Sequence, residues 1–143
     1  MTVSAILSVK GRAAVTIEAE ATLTAAAKLL TEKRIGALII LGADHRIAGI
    51  LSERDIVRAI AKRGAAALDD LVSTVMTREV MSCTETDTIA SIMDRMTAGK
   101  FRHLPVVDQD RLVGMISIGD VVKYRVHEME RDADRMREYI LTA

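Results

Sequence analysis

Residues 49–57 read GILSERDIV, and residues 114–122 read GMISIGDVV. Each stretch contains a glycine, two apolar residues, a serine and an aspartate three positions after that serine. An apolar run is typical of a buried strand, and a serine followed three positions later by an acidic residue is typical of the first turn of a helix. Each stretch therefore predicts a strand that leads directly into a helix.

The similarity between the two halves extends upstream of these stretches. Thr22 and Leu23 correspond to Thr88 and Ile89, which lie 66 residues later. In both copies the apolar residues that follow recur at i, i+3, i+4 and i+7, the spacing of an amphipathic helix. The chain therefore contains two copies of one unit. The matching helix faces are Leu23, Ala26, Ala27 and Leu30 in the first copy, and Ile89, Ile92, Met93 and Met96 in the second.

Each copy reads as strand, helix, strand, strand, helix. The strands are nearly all apolar, which favours a sheet covered on both faces, whereas one small unit alone leaves a face bare. Pairing the two units sheet to sheet covers that face. We therefore predict an α+β fold of two pseudo-symmetric β-α-β-β-α repeats with a C-terminal helical extension. The predicted strands are 14–17, 37–41, 47–51, 80–83, 104–107 and 112–116, and the first helices are 22–33 and 88–98.

The predicted boundaries assign residues 1–63 to repeat 1 with an N-terminal lead-in, 64–79 to a linker, 80–126 to repeat 2 and 127–143 to the extension. Within the linker, residues 68–75 are predicted to form a short helix. The last helix carries apolar residues at alternating spacings of four and three, which favours contact with another helix. The sequence leaves open whether this stripe packs on its own repeats or on a second copy. The apolar stripe consists of Val122, Val126, Met129, Ala133, Met136 and Ile140.

Composition narrows the class of function. Twenty basic residues balance twenty acidic ones, so no net field attracts nucleic acid, and three aromatic residues offer few stacking surfaces. The single cysteine, Cys83, cannot form an internal disulfide, and with three scattered histidines it gives no metal-ligand spacing. No apolar run is long enough to span a bilayer, and no signal peptide is recognisable. We therefore expect a cytoplasmic protein with neither nucleic-acid nor membrane partners.

The two Ser-x-x-Asp motifs, Ser52 with Asp55 and Ser117 with Asp120, have two interpretations. In a capping box both side chains simply satisfy free N–H groups at the helix start, which is worth about 1 kcal/mol. One copy alone would favour that interpretation. However, a glycine near each serine permits close approach of a ligand, and a helix N-terminus attracts anions. In addition, a hydroxyl beside a carboxylate is a suitable acceptor pair for a ribose diol.

With three further features, these motifs make the chain resemble a tandem pair of CBS (cystathionine β-synthase) domains, the Bateman module. The features are FRHLPVVD at residues 101–108, VSTVMTREV at residues 72–80, and the β-α-β-β-α order. The resemblance covers nearly the whole chain up to about Val126. It implies two clefts between the repeats that receive an adenosine compound such as AMP, ADP, ATP, NAD(H) or S-adenosylmethionine. It also implies assembly into a homodimer.

The resemblance assigns residues to the first cleft, which is the one that contains Ser52 and Asp55. These two side chains would contact the ribose, and Arg102 would lie near a phosphate. The adenine would lie against Ile50, Val80 and Met81.

The second cleft contains Ser117 and Asp120, which would contact the ribose in the same way. Arg54 and Arg102 would bind phosphate there, because Glu53 and Arg54 of the first repeat stand where the second has Ile118 and Gly119. His103 would be a further phosphate-binding residue or, equally, a histidine hydrogen-bonded near the start of its strand. The added arginine predicts tighter phosphate binding in the second cleft. The adenine would lie against Ala14, Val15 and Met115.

These expectations favour a regulatory sensor over an enzyme. The chain offers no glycine-rich phosphate loop, no paired carboxylates and no supported Ser/His/Asp or Cys/His set. We therefore expect no catalysis and no catalytic cofactor. The adenosine nucleotide would be a regulatory ligand, and an unidentified protein effector would bind the module and respond to its ligand-bound state. The alternative is a structural or protein-interaction adaptor that binds no ligand, in which both Ser-x-x-Asp motifs are only helix caps.

Overall fold

Two copies of the same local structure follow one another in the computed structural model, which describes residues 1–142. In each copy a helix precedes a two-stranded antiparallel sheet, and a second helix begins directly after the last strand. The predicted α+β fold of two repeats is therefore confirmed. Repeat 1 contains α2 (Leu23–Lys33), β1 (Ala37–Leu41), β2 (Ile47–Ser52) and α3 (Glu53–Arg63), and repeat 2 contains α5 (Ile89–Gly99), β3 (His103–Asp108), β4 (Arg111–Ser117) and α6 (Ile118–Thr142).

Matching caps determine where the first helix of each repeat begins and ends. The hydroxyls of Thr22 and Thr88 accept hydrogen bonds from the backbone N–H three residues later, at 3.2 and 3.1 Å. Both helices end at a residue in the left-handed region, Arg34 with φ 54° and Lys100 with φ 56°. These positions lie 66 residues apart, as the sequence repeat predicts, so the repeat is present in the backbone as well.

The first strand of each repeat is shorter than predicted. The segments 14–17 and 80–83 each form one parallel bridge, between Thr16 and Ile39 and between Cys83 and Val106. Two backbone hydrogen bonds of 2.8 to 3.1 Å hold each bridge. The β-α-β-β-α order is therefore preserved, although the first strand is a single paired residue.

Each repeat has its own hydrophobic core, and the predicted helix faces supply it. Cys83 is buried with a relative exposure of 2%, and this burial raises the pKa of its thiol to about 12. It is therefore an inert core residue. The first core includes Leu23, Ala26, Leu30, Leu38, Ile40, Leu51, Ile56, Val72 and Met76. The second core includes Val3, Ile6, Leu7, Cys83, Ile89, Ile92, Met96, Leu104, Val106, Ile116, Val121 and Tyr124.

An N-terminal helix that the sequence did not predict, α1 (Val3–Lys10), contributes to the second core. The lead-in assigned to repeat 1 therefore packs on repeat 2. Val3, Ile6 and Leu7 are fully buried because their i, i+3, i+4 spacing places them on one helix face. Gly114 permits this close approach, since a Cβ there would lie 2.9 Å from Cδ2 of Leu7.

The predicted linker helix at residues 68–75 is divided in the structure. A 3-10 turn covers Gly64–Asp69, and a separate four-residue helix, α4, covers Val72–Val75. Between them, the carbonyl of Asp70 accepts a hydrogen bond from Leu23 N at 3.0 Å, and Val72 N donates to the carbonyl of Ala21 at 2.7 Å. A continuous helix is excluded because these groups are engaged with the chain at the start of α2.

The last helix, α6, runs for 25 residues without a break, so the predicted boundary between repeat 2 and its extension lies inside one helix. Val121 and Tyr124 are buried, but the apolar stripe is exposed, from 45% at Val122 to 69% at Ile140. In residues 1–142, therefore, the stripe does not pack on its own repeats. No helix in this part of the chain is both long and apolar enough to cross a membrane.

Truncation of Leu7 tests the packing of α1 on repeat 2. Leu7→Ala should lower the free energy of unfolding by about 2 to 4 kcal/mol, because it leaves a cavity in a fully buried position. Urea unfolding followed by circular dichroism measures this change. Val9→Ala, at a position that is 74% exposed, is the matched control and should change stability by less than about 0.5 kcal/mol. Equal effects of the two variants would contradict this packing.

Candidate functional site

A capping box begins the second helix of each repeat. The Ser52 hydroxyl accepts a hydrogen bond from Asp55 N at 3.3 Å, and the Asp55 carboxylate accepts one from Ser52 N at 2.9 Å. Ser117 and Asp120 repeat this arrangement at 3.2 and 2.9 Å. The capping interpretation is therefore correct for both motifs. Both motifs also line cavities, so the same side chains that cap the helices are exposed to a cleft.

The first cleft is a cavity of about 240 Å³. The structure brings together all six residues assigned to it: Ser52, Asp55, Ile50, Val80, Met81 and Arg102. Basic side chains that were not predicted also line it, namely Arg54, Arg58 and Lys100.

The second cleft is about 490 Å³, within the range of roughly 300 to 1,000 Å³ that is usual for small-molecule sites. The first cleft falls below that range. Of the residues assigned to the second cleft, the structure brings together Ser117, Asp120, Ala14, Val15, Met115, Arg102 and His103.

The placement of Arg54 in the second cleft was wrong. Arg54 lines the first cleft, and the α3 residue that reaches the second cleft is Glu53. Successive residues of a helix point about 100° apart, so the two side chains in the first turn of α3 face different directions. The second cleft therefore has an acidic side chain where a basic one was expected, and the reason given for its tighter phosphate binding does not hold.

Two other basic residues, Lys10 and Arg34, line the second cleft. Lys10 ends α1, and its ammonium group donates hydrogen bonds to Asp120 Oδ2 at 2.7 Å and to the Met115 carbonyl at 2.9 Å. Arg34 is the left-handed C-cap of α2. The apolar spacing in residues 3–7 was the signal that could have revealed α1, but no local pattern relates Lys10 to Asp120.

The charge of Lys10 affects Asp120. Partial burial raises the pKa of Asp120, but the hydrogen bonds from Lys10 and Ser117 and the positive charge of Lys10 outweigh it. The pKa of Asp120 therefore lies below its ordinary value. The carboxylate in the second cleft is ionised at neutral pH and already has a cation beside it.

Three residues, Glu53, Arg102 and His103, line both clefts and form a shared wall. Gly36 makes room for the His103 ring, because a Cβ there would lie 2.9 Å from its Nε2. Within residues 1–142 the ring makes no hydrogen bond, so the interpretation of His103 as a ring held at the strand start is not supported. Burial lowers the pKa of His103 below its ordinary 6.5, although the negative charge of Glu53 opposes this shift. His103 is therefore neutral at pH 7.

The described residues hold no group of three or more His, Cys, Asp or Glu side chains placed to bind a metal ion. What the second cleft offers is a hydroxyl and a carboxylate at a helix start, two arginines and a lysine, and an apolar wall. These groups are suited to holding a ligand that has hydroxyls, an anionic part and a flat apolar part.

Two β-α-β-β-α repeats with a Ser-x-x-Asp cleft on each define a tandem CBS domain pair. The CBS domain model matches residues 7–62 and 72–127, and the chain belongs to this family. The family resemblance of the sequence is therefore confirmed.

Solved structures and a curated relative resemble this chain over most of its length. A CBS-domain containing protein from Agrobacterium tumefaciens is 44% identical, with a TM-score of 0.85 over 87% of this chain and 99% of that chain. The CBS domain-containing protein CBSX3, mitochondrial, of Arabidopsis thaliana is 33% identical over 147 residues, which cover 97% of this chain and 71% of the relative. A CBS domain protein from Pyrobaculum aerophilum, solved in complex with AMP, is 29% identical, with a TM-score of 0.74 over 84% of this chain and 89% of that chain.

The shared wall predicts a specific pH dependence. In an NMR titration the His103 ring should titrate below pH 6.5, and Glu53→Gln should lower the pKa of His103 further by removing the opposing charge. Glu79→Gln, which removes a carboxylate that lines only the first cleft, is the control. An unchanged pKa of His103 in Glu53→Gln would contradict this arrangement.

The lowered pKa of His103 also determines how this residue makes folding stability depend on pH. Because the pKa of His103 is lower in the folded than in the unfolded state, the unfolded chain binds more protons below pH 6.5. The contribution of His103 to folding stability is therefore present above pH 6.5 and declines as the pH falls through the folded pKa.

Proposed function

We propose that this chain is a regulatory module that binds an adenosine nucleotide, with the second cleft as its principal site. One observation carries the proposal: a single cavity of about 490 Å³ combines a Ser-Asp pair, three basic side chains and an apolar wall. The wall is formed by Ala14, Val15 and Met115, and the basic side chains are Lys10, Arg34 and Arg102.

Each part of an adenosine nucleotide matches one part of this cavity. The ribose hydroxyls can donate to the Asp120 carboxylate, which is ionised at neutral pH. The adenine ring can lie on the aliphatic wall of Ala14, Val15 and Met115, since the lining contributed by residues 1–142 contains no Phe, Tyr or Trp. Phosphates can pair with Arg34 and Arg102, since guanidinium groups bind phosphate in a bidentate manner. The AMP complex of the Pyrobaculum aerophilum relative supports this ligand class.

The ligand is drawn from AMP, ADP, ATP, NAD(H) and S-adenosylmethionine. The basic side chains of the second cleft favour those with phosphate groups. The first cleft, which is smaller, would be a secondary site in which Ser52, Asp55 and Arg102 make the corresponding contacts.

Binding without turnover fits the environment of the side chains that could act as a nucleophile or a base. The thiol of Cys83 is buried and protonated, and His103 has no serine or cysteine hydrogen-bonded to it within residues 1–142. The second cleft is lined by residues of α1, repeat 1 and repeat 2, so a bound ligand contacts all three and favours one arrangement of them. A protein effector that reads this arrangement would make the module a sensor of metabolite state in the cytoplasm.

We further infer that α6 forms a homodimer contact through its apolar stripe. Val126, Met129, Met136 and Ile140 are each 47 to 69% exposed along one helix, although they keep the spacing of a helix–helix interface. An identical helix from a second copy supplies a complementary stripe, which is the symmetric contact usual in homo-oligomers. The same stripe supports the alternative function, an interaction adaptor, if the clefts bind nothing.

Calorimetric titration with AMP, ADP, ATP, NADH and S-adenosylmethionine tests the nucleotide proposal. Asp120→Asn keeps an acceptor for the helix cap but removes the charge, and should weaken binding by roughly 5- to 150-fold, the equivalent of about 1 to 3 kcal/mol. Asp55→Asn should have a smaller effect, and Asp94→Asn, on the exposed surface of α5, should have none.

Two outcomes would contradict the proposal as stated. A larger loss with Asp55→Asn than with Asp120→Asn would move the principal site to the first cleft. No binding of any of the five compounds would leave both Ser-x-x-Asp motifs as helix caps and favour the adaptor function.

Analytical ultracentrifugation tests the homodimer. Wild type should sediment as a dimer, and Met129→Glu should sediment as a monomer, because it places a charge in the middle of the stripe. Val9→Glu is the control, since Val9 is 74% exposed on α1, away from the stripe. A monomeric wild type, or a dimeric Met129→Glu protein, would contradict the proposed interface.

A further inference from the structure

The ion pair between Lys10 and Asp120 lies inside the second cleft, where the ribose of a nucleotide is proposed to bind. Their side chains are 37% and 24% exposed, and the N–O distance is 2.7 Å. Exposed ion pairs contribute little to folding stability, so the pair has no strong structural reason to exist. Its position in the cleft suggests a role in binding.

We propose that Lys10 is a ligand-binding residue of the second cleft and that, together with Asp120, it selects a ribose with both hydroxyls free. This inference rests on the proposed function and specifies which residue determines selectivity within the same site. It assigns a binding role to a residue of α1, an element that lies outside the repeated unit.

The hydrogen bonds that Lys10 and Asp120 make leave one acceptor and one donor available for a ligand. The bonds from Ser117 N and from Lys10 both end on Oδ2 of Asp120, and within residues 1–142 the other oxygen, Oδ1, accepts none. The ammonium group has three N–H bonds, and in the same part of the chain two of them are used, toward Asp120 and the Met115 carbonyl. One acceptor and one donor of the same ion pair therefore remain without a hydrogen bond.

A vicinal diol matches that combination. One hydroxyl can donate to Oδ1 of Asp120, and its neighbour can accept from the ammonium of Lys10. Removal of either hydroxyl leaves Oδ1 of Asp120 or the third N–H of Lys10 without a hydrogen bond to the ligand, and sites built to hydrogen-bond a hydroxyl discriminate strongly against ligands that lack it. The ion pair therefore need not break when the ligand binds.

The fold holds Lys10 in place before the ligand arrives. Lys10 is the last residue of α1, and the buried side chains of Val3, Ile6 and Leu7 fix that helix against repeat 2. The Met115 carbonyl, at the end of β4, holds the ammonium from the other side. Little side-chain freedom remains to be lost on binding, which favours affinity.

Within residues 1–142, no cation donates a hydrogen bond to the carboxylate of the first cleft as Lys10 does in the second. The Ser52 N–H and hydroxyl both donate to Oδ2 of Asp55, and the closest guanidinium nitrogen, Nη1 of Arg58, is 3.9 Å from Oδ1 on a side chain that is 72% exposed. The first cleft should therefore discriminate less between ribose and deoxyribose than the second.

Calorimetric titration of the full chain with AMP, 2′-deoxy-AMP and 3′-deoxy-AMP tests this inference. Wild type should bind each deoxy compound at least about tenfold more weakly than AMP. Lys10→Met should bind AMP about 5- to 20-fold more weakly than wild type, and its discrimination against one of the deoxy compounds should fall to about threefold or less. Lys28→Met, on the exposed face of α2, is the matched control and should behave as wild type.

Each other outcome has a definite meaning. Unchanged AMP affinity and discrimination in Lys10→Met would overturn the inference and leave the proposed function intact. Tighter AMP binding by Lys10→Met would also overturn it, because Lys10 would then compete with the ligand for Asp120. A wild type that binds none of the three compounds would overturn this inference, and it would overturn the proposed function as well only if ADP, ATP, NADH and S-adenosylmethionine also fail to bind. Circular dichroism and urea unfolding would establish that Lys10→Met is folded like the control.

Discussion

The hydrogen bond from the backbone N–H of Ser117 to the carboxylate of Asp120 fixes the strand–helix junction that supplies the Ser-Asp pair of the second cleft. It ends β4, begins α6 and fixes one carboxylate oxygen, so the other oxygen has a defined direction. The same bond in the first repeat, from Ser52 to Asp55, sets the corresponding junction between β2 and α3. The helix cap and the candidate ligand contact are therefore compatible with each other. The cap fixes the direction of the carboxylate that we propose binds the ligand.

The two clefts differ because the additions to the repeats are not symmetric. Each repeat leaves apolar surface that must be covered, and α1 covers it only on repeat 2, through Val3, Ile6 and Leu7. The end of that helix brings Lys10 to Asp120, whereas the cation paired with Asp55 among residues 1–142 is Arg58, at the longer distance of 3.9 Å. A packing requirement of the second core thus changes the chemistry of one cleft. The two clefts also differ in volume, with about 490 Å³ for the second and 240 Å³ for the first.

The sequence allowed the fold to be predicted because the deciding signals are local. The spacing of the helix faces, the all-apolar strands and the Ser-x-x-Asp motifs gave element bounds close to those observed, with β1 at residues 37–41 as predicted. The site residues carried over from the family pattern lie in the expected clefts, apart from Arg54. That error arose because Glu53 and Arg54 are adjacent in one helix turn. The rotation of α3 about its axis decides which of them faces the second cleft, and the sequence does not give this rotation.

The contact between Lys10 and Asp120 was beyond the reach of sequence patterns for a different reason. The spacing of Val3, Ile6 and Leu7 indicates a helix, but no local signal indicates which repeat that helix covers. The two partners are 110 residues apart, and their meeting depends on the packing of α1 beside Gly114. In the linker, likewise, hydrogen bonds from Leu23 and Val72 to residues distant in sequence override the local preference for one helix. Local periodicity predicts elements, and long-range pairing decides what they bring together.

The continuity of α6 gives the regulatory proposal a physical basis. The helix starts beside Asp120, in the candidate ligand site, and its apolar stripe begins at Val122 and continues to Ile140. At 1.5 Å per residue, its 25 residues extend for roughly 37 Å. The proposed ligand, which would contact Asp120, α1 and both repeats, would favour one position for the start of this helix. Because the helix has no break, a small change in its direction at Asp120 becomes a larger displacement at the exposed end, where a second copy or an effector would bind.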